Sequence, residues 1–139
     1  MRVQEYIEND FPFYHITPVQ NIPSILENGL TSRKRPICVV RTDNADVWNE
    51  IAARQLSCDL DGNEYKDFAV IRLLPSKHNI SWELVRPDNI GEPTAHLHNY
   101  ITIREIRIDA EDIIVNNFQI RPIRQYDIPQ DTLEEYYRR

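Results

Sequence analysis

Residues 13–30 read Phe13-Tyr14-His15-Ile16-Thr17-Pro18-Val19-Gln20-Asn21-Ile22-Pro23-Ser24-Ile25-Leu26-Glu27-Asn28-Gly29-Leu30, and this stretch decides the fold reading. Pro12 forces extension just before it, and Phe13 to Ile16 has the aromatic and β-branched content of a strand. Ile22, Ile25 and Leu26 then fall at i, i+3 and i+4, the spacing of one helix face. Pro18 and Pro23 are tolerated in a helix only in the first turn, and either Thr17 or Asn21 supplies the oxygen for an N-cap. Gly29 suits the left-handed position just past a helix end. The block therefore predicts a strand running straight into a helix of about two to three turns.

Working outward, Tyr6 to Phe13 is an aromatic lead-in. Past Pro36, Ile37 to Val40 reads as a buried strand. Asn44 caps a second helix over about Ala45 to Ser57, with Val47, Trp48, Ile51, Ala52 and Leu56 at helical spacing. Phe68 to Leu74 is a strong strand stopped by Pro75. Ile80 to Asn89 carries Trp82 and Leu84 at period two before a turn, and Leu97 to Ile103 is a further strand. Asp109 to Asp112 forms a helical turn ahead of Ile113 to Val115. Phe118 to Ile123 reads as a last strand whose Pro122 marks an edge, and residues 131–139 as a short surface helix. Trp48 and Trp82 both read as core. The pattern is an α+β domain, mostly antiparallel, with short flanking helices, spanning residues 1–139 as one unit.

Composition narrows the function classes. The 139 residues hold three glycines, and Gly29, Gly62 and Gly91 stand about thirty residues apart. Phosphate-cradling loops need two or three glycines within about eight residues, so Walker and dinucleotide-binding loops are excluded. Sixteen basic and twenty-two acidic side chains give a net charge of −6, which disfavours binding along extended duplex nucleic acid. The compact basic cluster Arg33-Lys34-Arg35 is too small to overturn that. Cys38 and Cys58 lack paired spacing and read as free thiols of a reducing compartment. The first ten residues lack the apolar run of a signal peptide, and no run approaches the roughly 18 apolar residues of a membrane span. The expected location is the cytoplasm.

The aromatic-His-x-Thr of Tyr14-His15-Ile16-Thr17, followed by Asn21, Ile25-Leu26 and Gly29-Leu30, resembles the opening of the ADP-ribosyltransferase-like superfamily. It is most similar to DarT-type DNA ADP-ribosyltransferases and less so to RNA 2′-phosphotransferases. The similarity is closest over residues 13–30 and continues loosely in element order. It implies a split, mostly antiparallel sheet and NAD as the substrate, with ADP-ribose passed to a macromolecular acceptor, protein or nucleic acid. A toxin or phage-defence role comes with the same resemblance.

The resemblance also implies site residues. His15 would hydrogen-bond the adenosine-side ribose, and the Ile16 backbone would hold the nicotinamide carboxamide. Thr17 and Asn21 would neighbour the adenosine half. Arg41, just past the second strand, matches by position the arginine that engages the phosphates and the transferring ribose. A guanidinium there can clamp a pyrophosphate; otherwise it pairs with Asp43 or Asp46 at the surface. The family's catalytic glutamate stands at the mouth of the strand that begins near His98. Here that position reads Asn99, with His98 beside it.

Asparagine can orient a ribose hydroxyl but brings no charge to an oxocarbenium-like centre. Loss of such a stabilising group typically costs about 10²–10³ in rate. Glu105, six residues on, could serve instead if a bulge shifts the register; otherwise it is an exposed strand-end carboxylate. Tyr65 and Tyr100 are candidates for stacking on nicotinamide.

Other chemistries find less support. His96 and His98 share one face of a strand by alternation, but no second ligand pair completes a metal site. The Asp59–Asn63 turn lacks the glycine and glutamate positions of a calcium loop. Nothing marks Cys38 or a serine as a nucleophile. Three readings remain: an NAD-dependent ADP-ribosyltransferase, an impaired NAD- or nucleotide-binding module on the same fold, and an unrelated α+β interaction domain in which His15 is satisfied by a carbonyl.

Overall fold

The computed structural model describes residues 2–33, 36–55, 65–87 and 97–120. The expected turn at 59–63, Cys58, His96 and the helix at 131–139 lie outside them.

Strand β1 (Phe13–Pro18) is the axis of the fold, because both of its edges are paired. β4 (Asp67–Leu73) lies along one edge through six consecutive antiparallel pairs, from Phe13 opposite Leu73 to Pro18 opposite Phe68. β3 (Ile37–Val40) lies on the other edge. β6 (His98–Ile101) and β5 (Val85–Pro87) extend the sheet beyond β3, and β8 (Ile113–Gln119) closes it beyond β4. The order is β5-β6-β3-β1-β4-β8, and every neighbour is antiparallel. A second sheet of two strands pairs β2 (Leu30–Thr31) with β7 (Glu105–Ile106). The α+β class with short flanking helices is as the sequence indicates.

Alternation along the strands divides the core between the two faces of the large sheet. Tyr14, Ile16, Val40 and Val70 pack on one face against Val47, Trp48, Ile51 and Ala52 of α3 (Ala45–Gln55). This helix starts where Asn44 predicts, its Oδ1 accepting from the Asp46 amide at 2.8 Å, a cap worth about 1 kcal/mol. Phe13, Val39, Ile71, Leu73 and Ile101 pack on the other face with Ile25 of α2 (Ile22–Asn28), Leu30 of β2 and Ile106 of β7. The second sheet and α2 thus lie on the His15 side of the large sheet.

Several local expectations change. Part of the aromatic lead-in is a helix, α1 (Val3–Glu8), whose Val3, Tyr6 and Ile7 pack against the second cluster. Neither Thr17 nor Asn21 caps α2; Asn21 Nδ2–H donates to Thr17 Oγ1 at 3.1 Å instead, across a 3₁₀ turn at Val19–Asn21. Pro18 is the last residue of β1. Pro75 ends β4 as expected but also opens a short helix, α4 (Pro75–His78). The period-two stretch at Trp82 is a 3₁₀ turn, Trp82–Leu84, ahead of β5, and Trp82 is 47% exposed rather than core. The strand expected from Leu97 to Ile103 stops at Ile101, and the one expected from Phe118 begins at Ile113 and ends at Gln119.

Gly29 ends α2 at φ +80° with its amide 2.7 Å from the Ile25 carbonyl. A Cβ there would meet the Ile106 carbonyl oxygen at 2.5 Å. The glycine is what lets β7 close against the end of α2.

Candidate functional site

The ladder between β1 and β3 consists of one registered pair, Tyr14 opposite Val40. Arg41 N–H donates to the Leu97 carbonyl of the β6 side at 2.9 Å. By alternation, Val40 and Cys38 turn their backbone groups the other way, toward β1. Val40 meets Tyr14 there. The Cys38 carbonyl instead accepts from the imidazole of His15, 2.6 Å from Nδ1. The same alternation turns the N–H and C=O of Ile16 toward β3, past the point where the ladder stops. The registered pairing of β1 with β3 therefore ends at Tyr14–Val40, with Ile16 and the His15 ring just beyond it.

His15 is half-buried. Burial pushes its pKa below the ordinary imidazole value, opposed by the bond to Cys38. The ring is thus neutral at pH 7, and because a carbonyl only accepts, Nδ1 carries the proton. Nε2 is left as an acceptor.

One row crosses the face that carries His15. Pro87 lies opposite Asn99, Asn99 opposite Val39, His15 opposite Ile71 and Ile71 opposite Ile113, with His15 beside Val39 one step from the Tyr14–Val40 pair. His15 and Asn99 therefore face the same side, two strand spacings or about 10 Å apart. Asn99 is 3% exposed. Its Nδ2–H donates to the Arg86 carbonyl at 3.1 Å, while its Oδ1 is buried without a hydrogen-bond partner among the described residues. An unmet buried acceptor costs about 1–3 kcal/mol, so native structures contain few of them.

Arg41, the residue after β3, lies past the Tyr14–Val40 pair on the Phe13 side. Its guanidinium carbon lies 5.6 Å from the centre of the Tyr6 ring. Burial lowers the Arg41 pKa, with Tyr6 acting in the other direction, and burial pushes the Tyr6 phenol up to about 12. Arg41 remains a cation at any ordinary pH. Tyr6 also donates to the Pro12 carbonyl and packs edge-on against Phe13, with ring centres 5.2 Å apart. This placement of Tyr6 was not legible, because nothing in residues 3–8 signals an arginine 35 positions away in the chain.

The remaining candidates divide. Thr17, buried and bonded to Asn21, lies on the His15 face two residues along β1. His98 pairs with Val40 and Tyr100 with Cys38, which puts both on the α3 side, away from His15 and Asn99. Tyr65 packs against the α3-side cluster as well. β6 pairs with β3 through four consecutive residues without a register shift, so the bulge that would bring Glu105 forward is absent. Glu105 stands exposed on the second sheet, opposite Thr31 and 3.3 Å from Arg107 Nη1. Among the described residues no group of three His, Cys, Asp or Glu side chains is placed to hold a metal ion. No helix of the described residues is long and apolar enough to cross a membrane.

Away from this face, α4 is tied to the 3₁₀ turn Ala110–Asp112. The Leu74 amide donates to His78 Nδ1 at 2.9 Å, so Nε2 carries the proton toward Asp112 Oδ2 at 3.1 Å. Lys77 Nζ lies 2.6 Å from both Asp112 Oδ1 and Glu111 Oε1. Asp109 and Asp112 cap the turn reciprocally. The partners are more than thirty residues apart, and no local pattern announces them.

Comparison with protein-family models, with curated proteins and with solved structures gives no match for this chain.

Proposed function

We propose that this chain is an ADP-ribosyltransferase-like protein that binds NAD beside Ile16, where the registered pairing of β1 with β3 ends, and passes its ADP-ribose to a macromolecular acceptor in the cytoplasm. The observation that carries the reading is the break in the β1–β3 ladder. It leaves one backbone N–H and one C=O, both of Ile16, facing β3 beyond the last registered pair. A carboxamide needs one acceptor and one donor, and such a pair reads it without a glycine loop.

Each neighbouring group then has a task. The neutral His15 ring accepts from the adenosine-side ribose, and Arg41 meets the pyrophosphate. Asn99 Oδ1 takes the nicotinamide ribose hydroxyl, which gives that buried oxygen the partner it otherwise lacks. In the reaction the bond from the ribose C1′ to the nicotinamide nitrogen breaks and nicotinamide leaves as a neutral molecule. The acceptor's nucleophile bonds to C1′ and gives up its proton. Positive charge builds on the ribose as this happens, and an amide oxygen stabilises it less than a carboxylate does. Turnover is accordingly slow. The net charge of −6 points to a protein or a short single-stranded segment as acceptor rather than extended duplex.

Asn99 also favours a second reading, in which the chain holds NAD without cleaving it. Incubating the purified protein with NAD while following both nicotinamide release and thermal stability separates the two. At a hundred times the dissociation constant, NAD should stabilise by about 2.7 kcal/mol. A shift with nicotinamide release supports the transferase, and a shift without release supports the binding module. No shift removes both.

A further inference from the structure

The N-terminal helix α1 reaches Arg41 through Tyr6. Val3, Tyr6 and Ile7 of this helix pack against the cluster that holds Phe13, Val39 and Ile71. The Tyr6 phenol donates to the Pro12 carbonyl. Its ring is tilted by 61° to Phe11 and by 62° to Phe13, with centres 5.4 and 5.2 Å apart. Phe13 is itself fully buried as the first residue of β1. Contacts to Phe11, Pro12 and Phe13 thus fix the ring, and the Arg41 guanidinium carbon lies over it, 5.6 Å from its centre.

The quadrupole of an aromatic ring attracts a guanidinium to its face, more strongly where water is excluded. A contact of this kind sets the plane of the cation without spending an N–H donor. It also leaves the positive charge uncancelled, which a carboxylate partner would not. Burial pushes the phenol up to about 12, so at ordinary pH Tyr6 supplies a neutral ring.

We propose that Tyr6 is a positioning residue, holding the Arg41 guanidinium in the plane that meets the pyrophosphate of the ligand and making α1 part of the binding site. This rests on the reading of the site given above, in which Arg41 contacts the phosphates. Bidentate contact with phosphate depends on the orientation of the planar fork as well as on its charge. An Arg41 that loses the ring keeps its charge and loses its fixed plane.

The test measures ADP-ribose affinity, so that cleavage does not enter, together with urea midpoints. The proteins are the parent, Tyr6→Phe, Tyr6→Leu, Arg41→Lys and the double variant Tyr6→Leu/Arg41→Lys. Tyr6→Phe keeps the ring and gives up the bond to Pro12, so its stability should fall while its affinity stays within about twofold of the parent. Tyr6→Leu keeps apolar bulk without a ring face and should bind about fivefold more weakly. Lysine retains the charge but has no plane to orient, so Tyr6→Leu should cost less than about twofold in the Arg41→Lys background. Equal losses from Tyr6→Leu in the two backgrounds would mean that the ring acts without Arg41, which overturns the positioning role and leaves the NAD site standing. A loss in Tyr6→Phe as large as that in Tyr6→Leu overturns it as well. If the parent binds neither ADP-ribose nor NAD, the site itself falls and the role of Tyr6 falls with it.

Discussion

The imidazole of His15 sits 2.6 Å from the carbonyl oxygen of Cys38 on the neighbouring strand, at the point where the ladder between their strands stops. A side chain thus takes the carbonyl that a continuing ladder would have given to the Ile16 amide. One residue both ends the registered pairing and spends its Nδ1 proton on the strand across from it.

Replacing this ring tests the site first. His15→Ala removes the Nε2 acceptor and leaves the Cys38 carbonyl to water or to the Ile16 amide. We expect a stability loss of about 1 kcal/mol and complete loss of the NAD-dependent thermal shift. A variant whose thermal shift with NAD matches that of the parent protein would remove His15 from the site.

Gly29 tests the join between the two sheets. Its φ of +80° is already strained for an L residue, and the Ile106 carbonyl oxygen leaves 2.5 Å where a Cβ would go. Left-handed backbone alone costs about 1–2 kcal/mol. Gly29→Ala should therefore destabilise the protein by about 2 kcal/mol or more, read as a lower urea midpoint. Substitution at Asn28, exposed on the preceding turn, should change stability by less than about 0.5 kcal/mol. Similar losses at the two positions would show that β7 does not press on the glycine.

The elements that were legible in the sequence are those held by near neighbours in the chain. Asn44 and the spacing of Val47, Trp48 and Ile51 specify α3 within a dozen residues, and the unbroken apolar run at Phe68 specifies β4. α1 was not legible: it is six residues long and none of them is fully buried. Its Val3, Tyr6 and Ile7 become a face only when the distant sheet is present. Trp82 misled because period two and an indole suggest burial, yet the backbone turns there and leaves the ring outside. At the site, His15 and Arg41 follow from position, but the shared row with Asn99 depends on the register of β3 against β6. Glu105 shows the converse, six residues from Asn99 in sequence and on a different sheet.

The clasp at Asp112 gives a pH dependence with a definite sign. Burial pushes the Asp112 carboxyl up, but hydrogen bonds from Lys77, the Asp109 amide and His78 outweigh this and hold it below the ordinary carboxylate value. A carboxyl depressed in the folded state contributes stability above its unfolded pKa and loses it as pH falls through the folded one. The contribution is therefore complete at pH 6 and fades below about pH 4. Asp112→Ala also leaves the buried His78 N–H unpaired, at about 1–3 kcal/mol. Urea midpoints at pH 6 and pH 3 should show the gap between parent and variant narrowing as the pH falls. A gap independent of pH would mean that the charge on Asp112 contributes nothing.

Asn99→Glu addresses catalysis itself. The side chain occupies the row position opposite Val39 and Pro87, and only a carboxylate there supplies a full negative charge to the ribose as nicotinamide departs. A well-placed electrostatic group of this kind is worth about 10²–10³ in rate. The substitution has two costs. It gives up the Nδ2–H bond to the Arg86 carbonyl, and it buries a charge, which raises the carboxyl's pKa. The gain should therefore grow with pH across the range in which the new carboxyl ionises. Nicotinamide release measured from pH 5 to pH 8 should rise with pH in Asn99→Glu and exceed that of the parent protein at pH 8. Asn99→Gln, which lengthens the side chain without adding charge, should show neither the gain nor the slope. A variant that still binds NAD and releases no more nicotinamide than the parent would place the acid position elsewhere, and with it the departure from the transferase pattern that Asn99 represents.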